Sequence, residues 1–119
     1  MKKPPRVPQY GNGIVIYDWM VKIMHLQGDE LVAYAVIHSF SKDGQSEFYG
    51  SISYLSFWLG KSKPTVLKVL KSLLGKRLIA KKDIPYTPRI NPERHYCRYW
   101  TTFSRLEPEF QKKLLSSSS

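Results

Sequence analysis

Ser53-Tyr54-Leu55-Ser56-Phe57-Trp58-Leu59-Gly60-Lys61-Ser62-Lys63-Pro64-Thr65-Val66-Leu67-Lys68-Val69-Leu70-Lys71-Ser72-Leu73-Leu74 is the stretch on which the fold turns. It divides at Gly60-Lys61. Ser53 suits the N-cap of a short helix over 54–59, and Ser62 suits the N-cap of a second helix over 63–74. Pro64 falls in the first turn of that second helix, where a missing N–H removes no hydrogen bond. Val66, Val69, Leu70 and Leu73 recur at helical spacing and predict a core-facing stripe. Lys63, Lys68, Lys71 and the hydroxyl of Ser72 fall on the other faces and predict an exposed cationic surface.

Downstream, Leu78-Ile79-Ala80-Lys81-Lys82 reads as a strand. Pro85, Pro88 and Pro92 make 83–94 a loop, and 95–103 is aromatic and β-prone, so it pairs with 78–82 as a long-looped hairpin. Upstream, 1–13 is rich in Pro, Gly and Lys and reads as a flexible basic arm. Ile14-Val15-Ile16 suits either a short strand or the chain's path into the core. Asp18 suits the cap of a helix over 19–26, broken at Gln27-Gly28, and Asp29 the cap of another over 30–40. The latter is apolar nearly all round, which predicts the central helix of the core. Ser41-Lys42-Asp43-Gly44-Gln45 is a turn-rich loop, and Phe48-Tyr49-Gly50 suits a few residues of strand. Residues 107–115 suit a short helix, and the serines of 116–119 carry no fold content. The expected class is α+β, mainly α with a small β-hairpin, as one domain over 14–105 followed by a tail over 106–119.

The size, 119 residues, is that of a single core. With 42% hydrophobic and 13% aromatic residues the chain has too much apolar material for an intrinsically disordered one. One cysteine excludes an internal disulfide. The longest apolar run, 31–37, is far shorter than the roughly 20 residues of a bilayer span. The basic N-terminus adjoins no apolar stretch and does not read as a signal peptide. A soluble protein of a reducing cytoplasm is expected. The net charge of +10 is confined: residues 61–105 hold twelve Lys and Arg against Asp83 and Glu93 alone, and the flanking segments balance. Such confinement favours a polyanionic partner over an evenly solvated surface.

A short helix, a glycine turn, a Ser-capped helix and a hairpin follow in the order of a winged helix-turn-helix. The run from Gly50 to Val66, with Leu70, Leu73 and Lys76-Arg77-Leu78-Ile79, resembles the family pattern S-I-x-x-L-x-x-x-L-G-x-S-x-x-T-V-x-x-x-L-x-x-L-x-x-K-G-L-I. Leu26-Gln27-Gly28-Asp29-Glu30-Leu31-Val32-Ala33-Tyr34 and Ser39-Phe40-Ser41-Lys42-Asp43-Gly44 narrow the resemblance. They are similar to the N-terminal domains of replication-initiation and replisome-organiser proteins of phages, plasmids and mobile elements, related to DnaD-type primosomal proteins.

The resemblance implies double-stranded DNA as partner, in a bacterial or phage-infected cytoplasm, with 63–74 as the recognition helix and 78–103 as the wing. Carried over, Lys63, Pro64, Leu67 and Lys68 are base-facing; Lys63, Lys68 and Lys71 suit places in or beside the major groove, and Lys61 is counted with them as a DNA contact. Ser62 and Thr65 suit phosphates at the helix N-terminus. Lys81, Lys82, Arg89 and Arg94 suit wing-side phosphates. Two residues depart from the pattern. Arg77 stands where the family has Gly, and Gly75 is expected to supply the left-handed residue. Leu67 stands where small polar or basic residues are usual. It suits a thymine methyl, or else a protein–protein patch with Leu74, Tyr54 or Phe57. Self-association and transcriptional regulation are therefore the alternative functions.

Other chemistries lack support. His25, His38 and His95 are dispersed, and only His95 and Cys97 adjoin as potential ligands, so no metal site is expected. Gly11-Asn12-Gly13 is an isolated pair of glycines and not a phosphate loop. The acids show no catalytic pairing, and no enzyme activity, cofactor, small-molecule substrate or membrane contact is expected. Among the aromatics, Trp58 reads as core, with Tyr54 or Phe57 exposed. Tyr86, Tyr96, Tyr99 and Trp100 are interleaved with arginines in a way that suits base stacking. Strand alternation, however, sends about half of them inward, with Tyr96 or Trp100 expected there.

Overall fold

The computed structural model describes residues 13–48, 52–84 and 96–116. The elements are α1 (Asp18–Lys22), α2 (Gly28–Ser41), α3 (Ile52–Leu59), α4 (Lys63–Gly75), β1 (Ile79–Ile84), β2 (Tyr96–Thr101), a 3-10 turn (Phe103–Arg105) and α5 (Pro108–Ser116). The class is α+β, mostly helical with one small antiparallel sheet.

The apolar run at 31–37 sets the architecture. Ala33, Tyr34, Ala35, Val36, Ile37 and His38 are buried in succession, so α2 is enclosed on nearly every side. Helices α3 and α4 and strand β2 pack around it. Leu55 comes from α3, while Val66, Val69, Leu70 and Leu73 come from α4 at the expected spacing. Trp58 and Tyr54 are half-buried against this core, leaving Phe57 exposed.

Helix α1 is shorter than expected. Ile23 and Met24 both donate backbone N–H groups to the Trp19 carbonyl, and His25 takes a left-handed conformation with φ +57°. A right-handed helix does not continue through such a residue. The turn carries Leu26 into the core beside Met20. Neither aspartate is a cap: Tyr17 and Gln27 are the N-cap residues, without side-chain capping bonds. Asp18, Asp29 and Glu30 lie in the first turns, where a carboxylate still complements the helix dipole. Ile14, Val15 and Ile16 form no strand.

Strands β1 and β2 pair antiparallel, from Ile79 opposite Thr101 to Ile84 opposite Tyr96. Phe48 adds a single rung on the other edge of β2: its N–H donates to the Tyr99 carbonyl at 2.7 Å, and its carbonyl accepts the Tyr99 N–H at 3.1 Å. Tyr49 and Gly50 lie outside the described residues. Tyr99 and Thr101 point inward, whereas Trp100 is half-buried with the Arg105 guanidinium 4.6 Å from its ring centroid. Of Tyr96 and Trp100, the two aromatics expected inward, Trp100 is not the buried one and Tyr99 takes that place, while the side chain of Tyr96 lies outside the described residues. The cause lies on α2, where His38 Nδ1 sits 3.0 Å from Thr101 Oγ1 and the Thr101 N–H donates to Ser41 Oγ at 3.2 Å. With Thr101 held inward, alternation turns Tyr99 the same way.

Beyond β2, Phe103 stacks on Trp19 with centroids 4.3 Å apart. Gln111 donates to the Phe103 carbonyl at 2.8 Å, and Leu114 and Leu115 of α5 pack on the core. No helix among the described residues is long and apolar enough to cross a membrane.

Candidate nucleic-acid interface

Two local devices set the position of α4. At its start, Gly60 takes φ +66° and donates its N–H to the Ser56 carbonyl, so α3 ends and the chain turns into α4 within Gly60, Lys61 and Ser62. Ser62 is the N-cap residue as expected. Its hydroxyl lies 3.2 Å from that of Thr65 rather than on a backbone N–H. Pro64 occupies the first turn.

At the other end, Leu78 N–H donates to the Leu73 carbonyl and Arg77 N–H to the Leu74 carbonyl. This is a Schellman arrangement, and it requires its left-handed residue at 77. Arg77 takes that conformation with φ +62°, and Gly75 is an ordinary helical residue. The expectation that Gly75 supplies the left-handed residue is corrected: the position in the hydrogen-bond ring decides, not the nearest glycine. The Thr102 hydroxyl donates to the Arg77 carbonyl at 2.9 Å, tying this turn to the segment after β2.

Acids from outside the basic stretch take up part of its charge. Lys61 Nζ lies 3.0 Å from both carboxylate oxygens of Asp29. Glu30 accepts from Lys76 Nζ at 2.6 Å and from the Ser72 hydroxyl at 2.7 Å, contacts that hold its carboxyl below the usual range. Ser72 is therefore a link to α2 and not part of a free surface. Glu47 lies 3.5 Å from both Arg98 and Arg105. Each such pair contributes about 0–1 kcal/mol to stability. Their larger effect is to remove Lys61, Lys76, Arg98 and Arg105 from the cations open to a partner.

The remainder has a defined location. Lys63, Pro64, Leu67, Lys68 and Lys71 are exposed on α4, and the three lysines have no ion-pair partner among the described residues. Spacings of three, four and seven residues place Pro64, Leu67, Lys68 and Lys71 on one outward stripe, opposite Val66, Val69, Leu70 and Leu73. Leu67 is 52% exposed in the middle of it. Lys81 and Lys82 are exposed on β1, which packs against α4. Arg89 and Arg94 lie outside the described residues, as do the basic arm and Tyr86. Of the site residues expected from sequence, the structure brings together Ser62, Lys63, Pro64, Thr65, Leu67, Lys68 and Lys71, and diverts Lys61. Arg77 was missed as a positioning residue, although its place in the Leu73-to-Leu78 turn is a local signal.

Among the described residues no group of three or more His, Cys, Asp or Glu is arranged to hold a metal ion. No protein-family model matches the chain, and no curated protein or solved structure is significantly similar to it.

Proposed function

We propose that this chain is a winged helix-turn-helix domain that binds double-stranded DNA through the outward face of α4, with the β1–β2 hairpin at its flank. The observation that carries the reading is the division of charge around α4. Asp29 and Glu30 neutralise the bases just outside its two ends, while Lys63, Lys68 and Lys71 on its outer face are left to a partner. A helix laid in the major groove offers such lysines to phosphates and base edges on both sides. Ser62 and Thr65 place two hydroxyls at its N-terminus, where the helix dipole favours a phosphate. The setting, replication initiation or replisome organisation of a mobile element, rests on the resemblance carried by residues 50–79 and 26–44.

Fluorescence anisotropy of a labelled duplex tests this. Lys63→Glu with Lys68→Glu lowers affinity by about tenfold or more at low salt. Unchanged affinity rejects the mode.

Self-association is the second reading, favoured by Phe57, which is 79% exposed, and by Leu67. A dimer in light scattering that Leu67→Lys dissociates would support it against DNA binding.

A further inference from the structure

We infer that α4 reads the thymine 5-methyl group through Leu67, so that the preferred DNA is A·T-containing and is recognised by apolar contact rather than by a bidentate hydrogen bond. This rests on the DNA-binding reading above and specifies what that face selects.

The outward face offers few groups that could read a base edge. Its exposed side chains are Ser62, Lys63, Pro64, Leu67, Lys68 and Lys71. None is Arg, Asn or Gln, the residues whose forked groups read guanine or adenine edges in pairs of hydrogen bonds. Ser62 has its hydroxyl beside that of Thr65 at the very start of the helix. Two chemistries remain: ammonium donors on flexible stems, and aliphatic carbon. The lysines bind phosphates, and at base edges their preference is for the guanine O6 and N7 acceptors, reached from flexible stems; thymine is not a group they select.

Leu67 differs from them. It sits one helical turn beyond Pro64 and next to Lys68, with Lys63 and Lys71 one turn away on either side, so a duplex drawn in by the ammonium groups is pressed against it. Half of its surface is exposed although the same helix buries four other apolar residues completely or nearly so. In the major groove of B-DNA the only apolar group on a base edge is the thymine methyl. A leucine at this position gains by covering that methyl and loses by facing the polar edge of cytosine.

Removing one methyl group tests the inference without altering base pairing. One A·T-rich duplex is made with thymidine and again with deoxyuridine, and the full chain is titrated with each. The wild type binds the deoxyuridine duplex about fourfold more weakly for each methyl covered. Leu67→Ala, an exposed position whose truncation leaves the core intact, binds the two duplexes equally and keeps its salt dependence. Equal binding of both duplexes by the wild type overturns the inference while leaving the DNA-binding reading in place. So does a deoxyuridine penalty that persists in Leu67→Ala. Failure to bind either duplex at low salt overturns the DNA-binding reading, and this one with it.

Discussion

Asp29 receives a single ammonium, that of Lys61, at 3.0 Å from each of its carboxylate oxygens. The pair spans 32 positions of sequence and joins the first turn of α2 to the turn that opens α4. It helps to aim α4, and it withholds a cation from the surface. Asp29→Asn frees Lys61 and removes a negative charge close to any bound phosphate. Duplex affinity at low salt is expected to rise about threefold, with the gain disappearing at high salt. Isothermal titration at two salt concentrations checks this; a fall in affinity would show that Lys61 serves α4 chiefly through its position.

Arg77 is held at φ +62°, where a side chain with a Cβ carries a cost of about 1–2 kcal/mol. Arg77→Gly relieves that strain and returns part of the gain as backbone entropy of the unfolded chain, for a net stabilisation of about 0.5–1 kcal/mol. Arg77→Val adds β-branching at the same φ and is expected to destabilise by about 1 kcal/mol or more. Urea unfolding of both variants measures the effect. A Gly variant less stable than the wild type would show that the Arg77 side chain contributes more than its backbone costs.

His38 is buried against Thr101, Trp19 and Tyr34. Burial, reinforced by the charge of Lys42, lowers its pKa from the ordinary 6.5 to about 4. The unfolded chain therefore binds a proton in a range where the folded chain does not. Stability is complete above about pH 6.5 and falls as the pH drops from there toward 4, by about 3 kcal/mol in total. In His38→Gln that portion of the pH dependence disappears. Thermal unfolding across this range tests the sign; stability that rises on acidification would contradict it.

Much of the fold was legible because short-range patterns specify it. The apolar run of 31–37 marks the enclosed helix, and Val66, Val69, Leu70 and Leu73 mark the inner face of α4. The alternation around 95–103 marks a strand but not which side of it faces in. That choice belongs to Thr101, whose partners His38 and Ser41 are 63 and 60 positions away. The candidate site follows the same division. Lysines at helical spacing predict a cationic face, but nothing local shows that Lys61 and Lys76 are taken up by acids 32 and 46 residues upstream.

Glu30 holds Ser72 and Lys76 at the far end of α4. Glu30→Gln removes the ionic part of that contact and is expected to cost about 0.5–1 kcal/mol of stability, with the loss in the wild type appearing as acid protonates Glu30. Because the carboxyl is held below its ordinary pKa when folded, its contribution is present at neutral pH and vanishes as the pH falls through that range. Equal stability of wild type and Glu30→Gln at neutral pH would show that the contact merely occupies the surface.

The salt dependence of duplex binding tests the central claim most directly. Each lysine that neutralises a phosphate releases a counterion and contributes about one unit to the slope of log affinity against log salt concentration. Replacing Lys63, Lys68 and Lys71 together by Gln leaves the buried face of α4 untouched and is predicted to weaken binding while reducing that slope by about three. An unchanged slope and affinity in the triple variant would contradict the account.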